Sequence, residues 1–331
     1  MAIKAGRRAA ELDELVLCLD FGGTKLAATV VDLGLEKIVG PVIRQQTPVS
    51  EGASGTLLAM LACGRQALQA CGQAHKVSAV GISFGGPVSA DRRSVLLSNH
   101  VADWNGAPLV EQVSQAFQLP AAMDNDGNVA ALGEWWFGGH RQVANLAYIQ
   151  VSTGVGGGFV LGRQPYRGAG LAGEMGHYGV DANGPLCSCG RHGCLEALSS
   201  GWAIARDGRL ALAKGAQACP ELARLCGNRA EAVTAELVFV ACRAGDAACQ
   251  AIIQAAFRSL AMMITNLVTC IDPELVVIGG GLVRSVDIFE RYFFPELQER
   301  MHPFFKDRCR VELSRMDGAE LLLGAALLTR E

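Results

Sequence analysis

The 331-residue sequence predicts an α/β protein made of two related halves, and three observations carry that prediction. Half of the residues are apolar, with 40 glycines and few aromatics, a balance that favours packed sheets and helices over an all-β sandwich. Short apolar runs that end in polar or glycine-rich clusters alternate with longer stretches of three- and four-residue apolar periodicity. One pattern, strand then Thr/Gly turn then strand, occurs twice, at 15–32 and at 146–162, as an internal duplication would leave it.

In chain order, residues 1–14 read as a polar extension. Leu15–Leu19 and Leu26–Asp32 form a hairpin around Asp20 and the turn residues Gly22, Gly23, Thr24 and Lys25. This is no Walker A loop, which needs GxxxxGK[ST] running into a helix. The two glycines nevertheless let backbone N–H groups approach an anion, Thr24 adds a hydroxyl, and Asp20 could hold Mg²⁺ through water. An ordinary hairpin turn fits the same residues. Helix 54–74 and the buried strand Val77–Ile82 follow, ending in Ser83-Phe-Gly-Gly-Pro87. A further strand starts over Val95–Leu97, and Pro108 opens a helix at 109–117. The strand Ala121–Met123 runs into Asp124, Asn125, Asp126, Gly127 and Asn128 and then helix 129–137. Asp126 is the candidate general base, able to take the proton of an attacking hydroxyl. Asx-turn and N-cap duty explains one of these groups but not all five.

The second hairpin turns at Ser152–Gly158, including Thr153 and Gly154, and fails the GxGxxG pattern at Phe159. Residues 199–269 are mostly helical, and Met262 and Met263 read as core filler. Strand 274–278 leads into Gly279, Gly280 and Gly281, which fit an adenosine pocket or a plain turn equally. A helix over 286–300, a strand over 309–313 and a closing helix over 319–328 complete the chain.

Between Gly173 and Glu196 lie His177, Cys187, Cys189 and Cys194, with Gly190 and Gly193 supplying tight turns. A Cys₃His set suits tetrahedral Zn²⁺ with no open position, so the expected metal is structural. Glu174, His192 and Glu196 are interleaved with these ligands as groups able to grip a sugar. The other cysteines are scattered singly among alanines and leucines, as small core residues would be. A net charge of −3 and the absence of a long apolar leader argue against a nucleic-acid or membrane surface and for a cytoplasmic protein.

Six motifs in order, DFGGTK at 20–25, NDGN at 125–128, STGVGGG at 152–158, GEMGH at 173–177, CSCGRHGCLE at 187–196 and IGGG at 278–281, resemble the ROK family of sugar kinases and sugar-responsive repressors. The resemblance covers nearly the whole chain from Leu15. It implies an actin/hexokinase-like fold, a duplicated RNase H-like arrangement with a structural zinc loop, closing over sugar and ATP. The expected lobes are 1–125 and 126–317, with the closing segment 318–331 able to pack back on the first. It further implies that Asp126 is the base and that Asn125, Glu174, His177 and Glu196 touch the sugar, with Gly86 and Asn99 near it. Asp20, Gly22, Gly23, Thr24, Lys25, Thr153 and Gly154 would serve the ATP phosphates and Mg²⁺, and Gly280 and Gly281 the adenosine. Family members are commonly homodimers. The implied activity is a glucokinase-like hexose kinase acting on the 6-hydroxyl, with N-acetylmannosamine kinase as the alternative; Gly86-Pro87 matches neither pattern and leaves the acceptor open. A repressor reading needs a helix-turn-helix domain, and only 14 residues precede the first expected strand. A zinc-ribbon module on nucleic acid is disfavoured by the acidic charge and the lone Arg191 in the loop.

Overall fold

The computed structural model describes residues 14–98 and 101–331. Along the chain run β1 (Leu15–Phe21), β2 (Lys25–Asp32), β3 (Lys37–Ile38), β4 (Ile43–Gln46), α1 (Gly52–Cys71), β5 (Val77–Phe84), α2 (Leu109–Phe117), β6 (Ala121–Asn125) and α3 (Asp126–Phe137). Next come β7 (Leu146–Val151), β8 (Val155–Leu161), β9 (Gln164–Tyr166), α4 (Leu195–Ser199), α5 (Gly201–Ala213), α6 (Pro220–Cys226), α7 (Ala235–Arg243) and α8 (Ala247–Ile271). The chain closes with β10 (Leu275–Gly279), α9 (Val286–Ile288), α10 (Phe294–Arg300), α11 (Pro303–Lys306), β11 (Arg310–Leu313) and α12 (Ala319–Leu327).

The duplication is visible in the sheets. One has the order β3-β2-β1-β5-β6, with β4 also on β2; the other has the order β9-β8-β7-β10-β11. In each, an antiparallel arm is followed by three parallel strands, and the first strand of the half lies in the middle. Parallel strands need crossover helices on their faces, so their middles are apolar throughout. β1 and β10 are buried almost end to end.

By contacts the chain divides into two compact units, 1–144 with 158–173 and 318–331, and 145–157 with 174–317. In the first, α12 lies across α3, β1 and β5. Gly133 and Gly324 bring the two helices together: a methyl at Gly133 would sit 2.1 Å from the Glu320 carbonyl, and one at Gly324 2.0 Å from that of Val129. Under the first turn, Phe21, Phe84 and Trp104 form an edge-on aromatic cluster with centroids 5.4–6.3 Å apart. In the second unit, α8 is long and apolar enough to cross a membrane by length and composition alone. It packs instead against α4, α5, α7 and α10, with Met263 buried in that layer. The buried Asp246 carboxylate starts two helices, accepting from the N–H groups of Ala248 and Cys249 in α8 and of Glu221 and Leu222 in α6.

Two expectations are corrected and one is refined. Val95–Leu97 is not a strand: Val95 makes only an isolated bridge to Val88. The second glycine turn is shorter than Ser152–Gly158, since β8 starts at Val155 and takes up Gly156–Gly158. The helix expected over 286–300 is present and unbroken; it widens to π geometry at Phe289–Phe293, just before Pro295, whose missing N–H removes one donor from the α-helical ladder. The short strands β4 and β9 were not foreseen.

Candidate active site

In both units the chemistry-bearing residues sit at the carboxyl ends of parallel strands, where open α/β sheets place their ligand-binding loops. The β1–β2 turn of the first unit is held from two sides. Thr47 Oγ1 donates to the Gly22 carbonyl at 2.8 Å and its N–H to the Thr24 carbonyl at 3.0 Å, while Gly85 N–H donates to the Phe21 carbonyl at 3.0 Å. Thr24 and Lys25 are exposed at the tip. Asp20, the last residue but one of β1, is half-buried and accepts from Ser83 Oγ at 2.8 Å. Burial pushes its carboxyl up to about 6; the Ser83 bond and the Arg44 charge oppose that shift, and the Glu320 charge adds to it.

The β6–α3 junction divides its polar groups by task. Asn125 is the N-cap, its Oδ1 accepting from Gly127 N–H at 2.9 Å, and its Nδ2 donates to the Gly86 carbonyl at 3.1 Å. Capping thus falls to Asn125, and the same side chain fixes the loop that carries Gly86. Asp124 is buried and accepts from Asn125 N–H at 2.8 Å and Asn128 Nδ2 at 3.0 Å. Asp126 begins the first turn of α3, with Oδ1 2.9 Å from Gly127 N–H. The turn after β1, the Gly86 loop and Asp126 therefore share one sheet edge, whereas Asn99 lies outside the described residues.

In the second unit, the turn at Ser152–Gly154 closes on itself through Ser152 N–H to the Gly154 carbonyl, 2.9 Å. Gly201 and Trp202 N–H groups, at the start of α5, donate to the Ser152 and Thr153 carbonyls at 2.8 and 3.1 Å. Glu196 in α4 accepts Val155 N–H at 3.1 Å and Ser188 Oγ at 3.2 Å. A methyl at Gly154 would stand 2.5 Å from Glu196 Oε2, so a larger residue there would displace the carboxylate that holds Val155 N–H. The triple glycine lies beside the same turn: a methyl at Gly280 would meet the Val151 carbonyl at 2.5 Å, and one at Gly281 would come within 3.6 Å of Ser152 Oγ.

The Cys/His group forms in the same unit. One ligand atom each of His177, Cys187, Cys189 and Cys194 lies within 4.8 Å of the others. Cys189 Sγ is 3.6 Å from Cys194 Sγ, and Cys187 Sγ is 3.7 Å from His177 Nδ1. Those separations match the roughly 3.6–3.8 Å edges that ligand bonds of about 2.0–2.3 Å give in a four-coordinate tetrahedral site. The Arg191 N–H bond lowers the Cys189 thiol to about 6, while burial pushes Cys194 up. The loop is shaped by Gly193, at φ +67°, where a methyl would fall 1.4 Å from the Asp181 carbonyl. His177 turns Nδ1 toward Cys187. His192 directs Nδ1 to the Gly184 carbonyl at 3.0 Å, which ties the loop together. Glu174 is exposed at the surface of the loop, yet desolvation by the atoms around it raises its pKa, which the His177 charge opposes and the Glu196 charge reinforces. Trp202 packs against the small cluster of Cys187, Cys194 and Ala197, joining the ligand group to the helix that grips the 152–154 turn. That link carried no sequence signal.

The ROK family profile matches residues 16–331. A glucokinase of Streptomyces coelicolor is 33% identical over 283 residues, 83% of this chain and 84% of the relative. An N-acetylmannosamine kinase of Yersinia pseudotuberculosis is 32% identical over 316 residues, 95% of this chain and 98% of the relative. Among solved structures, a ROK glucokinase from Streptomyces griseus in complex with glucose and AMPPNP superposes with a TM-score of 0.80 at 30% identity, covering 94% and 98% of the two chains. A ROK transcriptional regulator, a homologue of the E. coli MLC protein, also gives 0.80, at 25% identity and covering 96% of this chain and 78% of that one.

Asp20 supplies a stability test. Its folded-state pKa of about 6 lies above the unfolded value, so the ionised group weakens the fold above pH 6. That penalty is relieved as pH falls toward about 4. Without nucleotide or Mg²⁺, Asp20→Asn is expected to melt higher than wild type at pH 8, the difference vanishing near pH 4. A variant less stable than wild type at pH 8 contradicts the assignment.

Proposed function

The chain belongs to the ROK family, and from that premise we propose that it is a sugar kinase, an ATP-dependent enzyme that phosphorylates a hexose on its 6-hydroxyl. The observation that carries the reading is the division of labour at the β6–α3 junction. Asn125 caps α3 and Asp124 is buried behind it, and Asp126, in the first turn of α3 at the end of β6, is the proposed carboxylate for chemistry. In the proposed reaction Asp126 accepts the proton of the sugar hydroxyl as that oxygen bonds to the γ-phosphorus and the bridging bond to ADP breaks. Glu174, His177 through Nε2, Glu196, Asn125, Gly86 and Asn99 are the proposed sugar contacts. The turn at 20–25 and the turn carrying Thr153 and Gly154 are the proposed phosphate sites, with Gly280 and Gly281 beside the adenosine. When bound, Mg²⁺ would neutralise phosphate charge, with Asp20 as its proposed anchor through water.

Zn²⁺ is the proposed occupant of the His177, Cys187, Cys189 and Cys194 group, and its role is structural because four protein ligands leave no open position. Those ligands, together with Gly193, hold the loop that carries Glu174 and His177, while Glu196 follows Cys194 by two residues and binds the 152–155 turn. Similarity to the glucokinases and to an N-acetylmannosamine kinase supports glucose first, with N-acetylmannosamine as the second acceptor to test. The regulator among the structural neighbours keeps a sugar-binding, non-catalytic reading as the rival. A cytoplasmic homodimer that acts without nucleic acid or a membrane is part of the same proposal.

A coupled ADP-release assay over a panel of hexoses, including glucose and N-acetylmannosamine, separates kinase from sensor and ranks acceptors by kcat/KM. Asp126→Asn is expected to lose about 10²–10⁴-fold in kcat while still binding sugar in calorimetry. Near-wild-type turnover by that variant would remove Asp126 as base. Metal analysis of protein purified without chelator is expected to find one zinc per chain, and Cys189→Ser to lose both zinc and thermal stability. Wild-type protein free of zinc yet fully folded and active would end the structural-metal reading.

A further inference from the structure

We propose that Arg167 and Glu331 are positioning residues for the transfer reaction, acting on Asp126 through the buried carboxylate of Asp124. The inference rests on the assignment of Asp126 as the base. Asp124 is 1% exposed and grips the chain on both sides of Asp126 with one oxygen: Oδ1 accepts from Asn125 N–H at 2.8 Å and from Asn128 Nδ2 at 3.0 Å. Whatever fixes Asp124 therefore fixes the turn in which Asp126 sits. Its second oxygen needs a counter-charge, since a buried carboxylate left unpaired is strongly unfavourable.

Arg167, in the loop after β9, provides it: Nε donates to Asp124 Oδ2 at 2.5 Å. Arg92 stands farther off, at 3.9 Å from the same oxygen. Arg167 is in turn held by Glu331, whose two carboxylate oxygens lie 2.7 and 2.9 Å from Nη2. Arg92 Nη1 donates to Glu331 Oε2 at 2.6 Å, closing a four-membered ionic network. The planar guanidinium can address Asp124 and Glu331 at once from different nitrogens, which an ammonium on a flexible stem cannot reproduce. β8 adds a stop on the same turn, because a methyl at Gly158 would lie 2.4 Å from the Gly127 carbonyl. Loss of Arg167 leaves Asp124 to the more distant Arg92, 3.9 Å away. A carboxylate drawn toward Arg92 or toward entering water pulls on its bonds to Asn125 and Asn128 and loosens Asp126.

This predicts an effect on turnover rather than on nucleotide affinity. In the full chain, with Mg·ATP and the best acceptor from the hexose panel, Arg167→Met is expected to lower kcat about 30- to 100-fold while KM for ATP changes less than about threefold. Glu331→Gln is expected to lower kcat about 3- to 10-fold, because it slackens Arg167 without removing the counter-charge. Arg167→Lys is expected to restore part of the activity lost in Arg167→Met, and the double variant Arg167→Met/Glu331→Gln to be no slower than Arg167→Met alone. If Arg167→Met folds with kcat within about twofold of wild type, or lowers kcat and raises KM for ATP by equal factors with no recovery in Arg167→Lys, the inference is overturned. Should Arg167→Met fail to fold, Glu331→Gln decides, and normal kcat there overturns it. Asp126→Asn run alongside separates the two assignments. An inactive Asp126→Asn beside normal Arg167→Met and Glu331→Gln rejects only the positioning role, whereas an active Asp126→Asn rejects the base.

Discussion

A buried carboxylate must be neutralised where it stands, and in this protein that demand falls on Asp124. Its placement at the end of β6 is part of the sheet, and its bonds to Asn125 and Asn128 make the sheet edge and the start of α3 one rigid piece. The helix behind that turn cannot drift, because Gly133 and Gly324 let α12 lie against it at backbone distance. Charge neutralisation and close helix packing thus act on the same few residues. Exposed ion pairs elsewhere, such as Arg284 with Asp317, are screened and contribute little by comparison.

The second unit meets a different problem with different means. Its turn after β7 is rich in glycine and holds no large side chain, so it is secured from outside by the start of α5 and the carboxylate of Glu196. Both helices adjoin the Cys/His group, and Trp202 packs against the cluster that Cys187 and Cys194 form with Ala197. A loop with so many glycines has little apolar surface of its own, and four convergent soft donors can order it instead. Ligand group, sugar-directed side chains and phosphate-type turn are therefore one mechanical assembly in this unit.

Much of this was legible in the sequence, for a physical reason. Alternating apolar runs and glycine turns are local signals, so both hairpins, the β6–α3 junction and the Cys₃His spacing could be read directly, as could the duplication that the matching strand orders display. Long-range partners could not. Arg167 and Asp124 are 43 residues apart and Arg167 and Glu331 are 164 apart, and nothing local marks either pair. The apolar run at 95–97 looked like a strand because period and composition say nothing about whether a neighbour is there to pair with. The helix expected over 286–300 is there, but its widening to π geometry ahead of Pro295 had no signal in the apolar period. Of the sugar-site expectations, Asn99 falls outside the described residues.

The account comes down to one proton acceptor held in one place. A crystal structure with Mg²⁺, a non-hydrolysable ATP analogue and the preferred hexose tests it most directly. The expected result is an Asp126 carboxylate oxygen about 2.6–3.2 Å from the hydroxyl to be phosphorylated, with Asn125 still capping α3 and Asp124 still bonded to Arg167. A complex in which that hydroxyl faces a different side chain, with Asp126 turned away into bonds of its own helix, would contradict it.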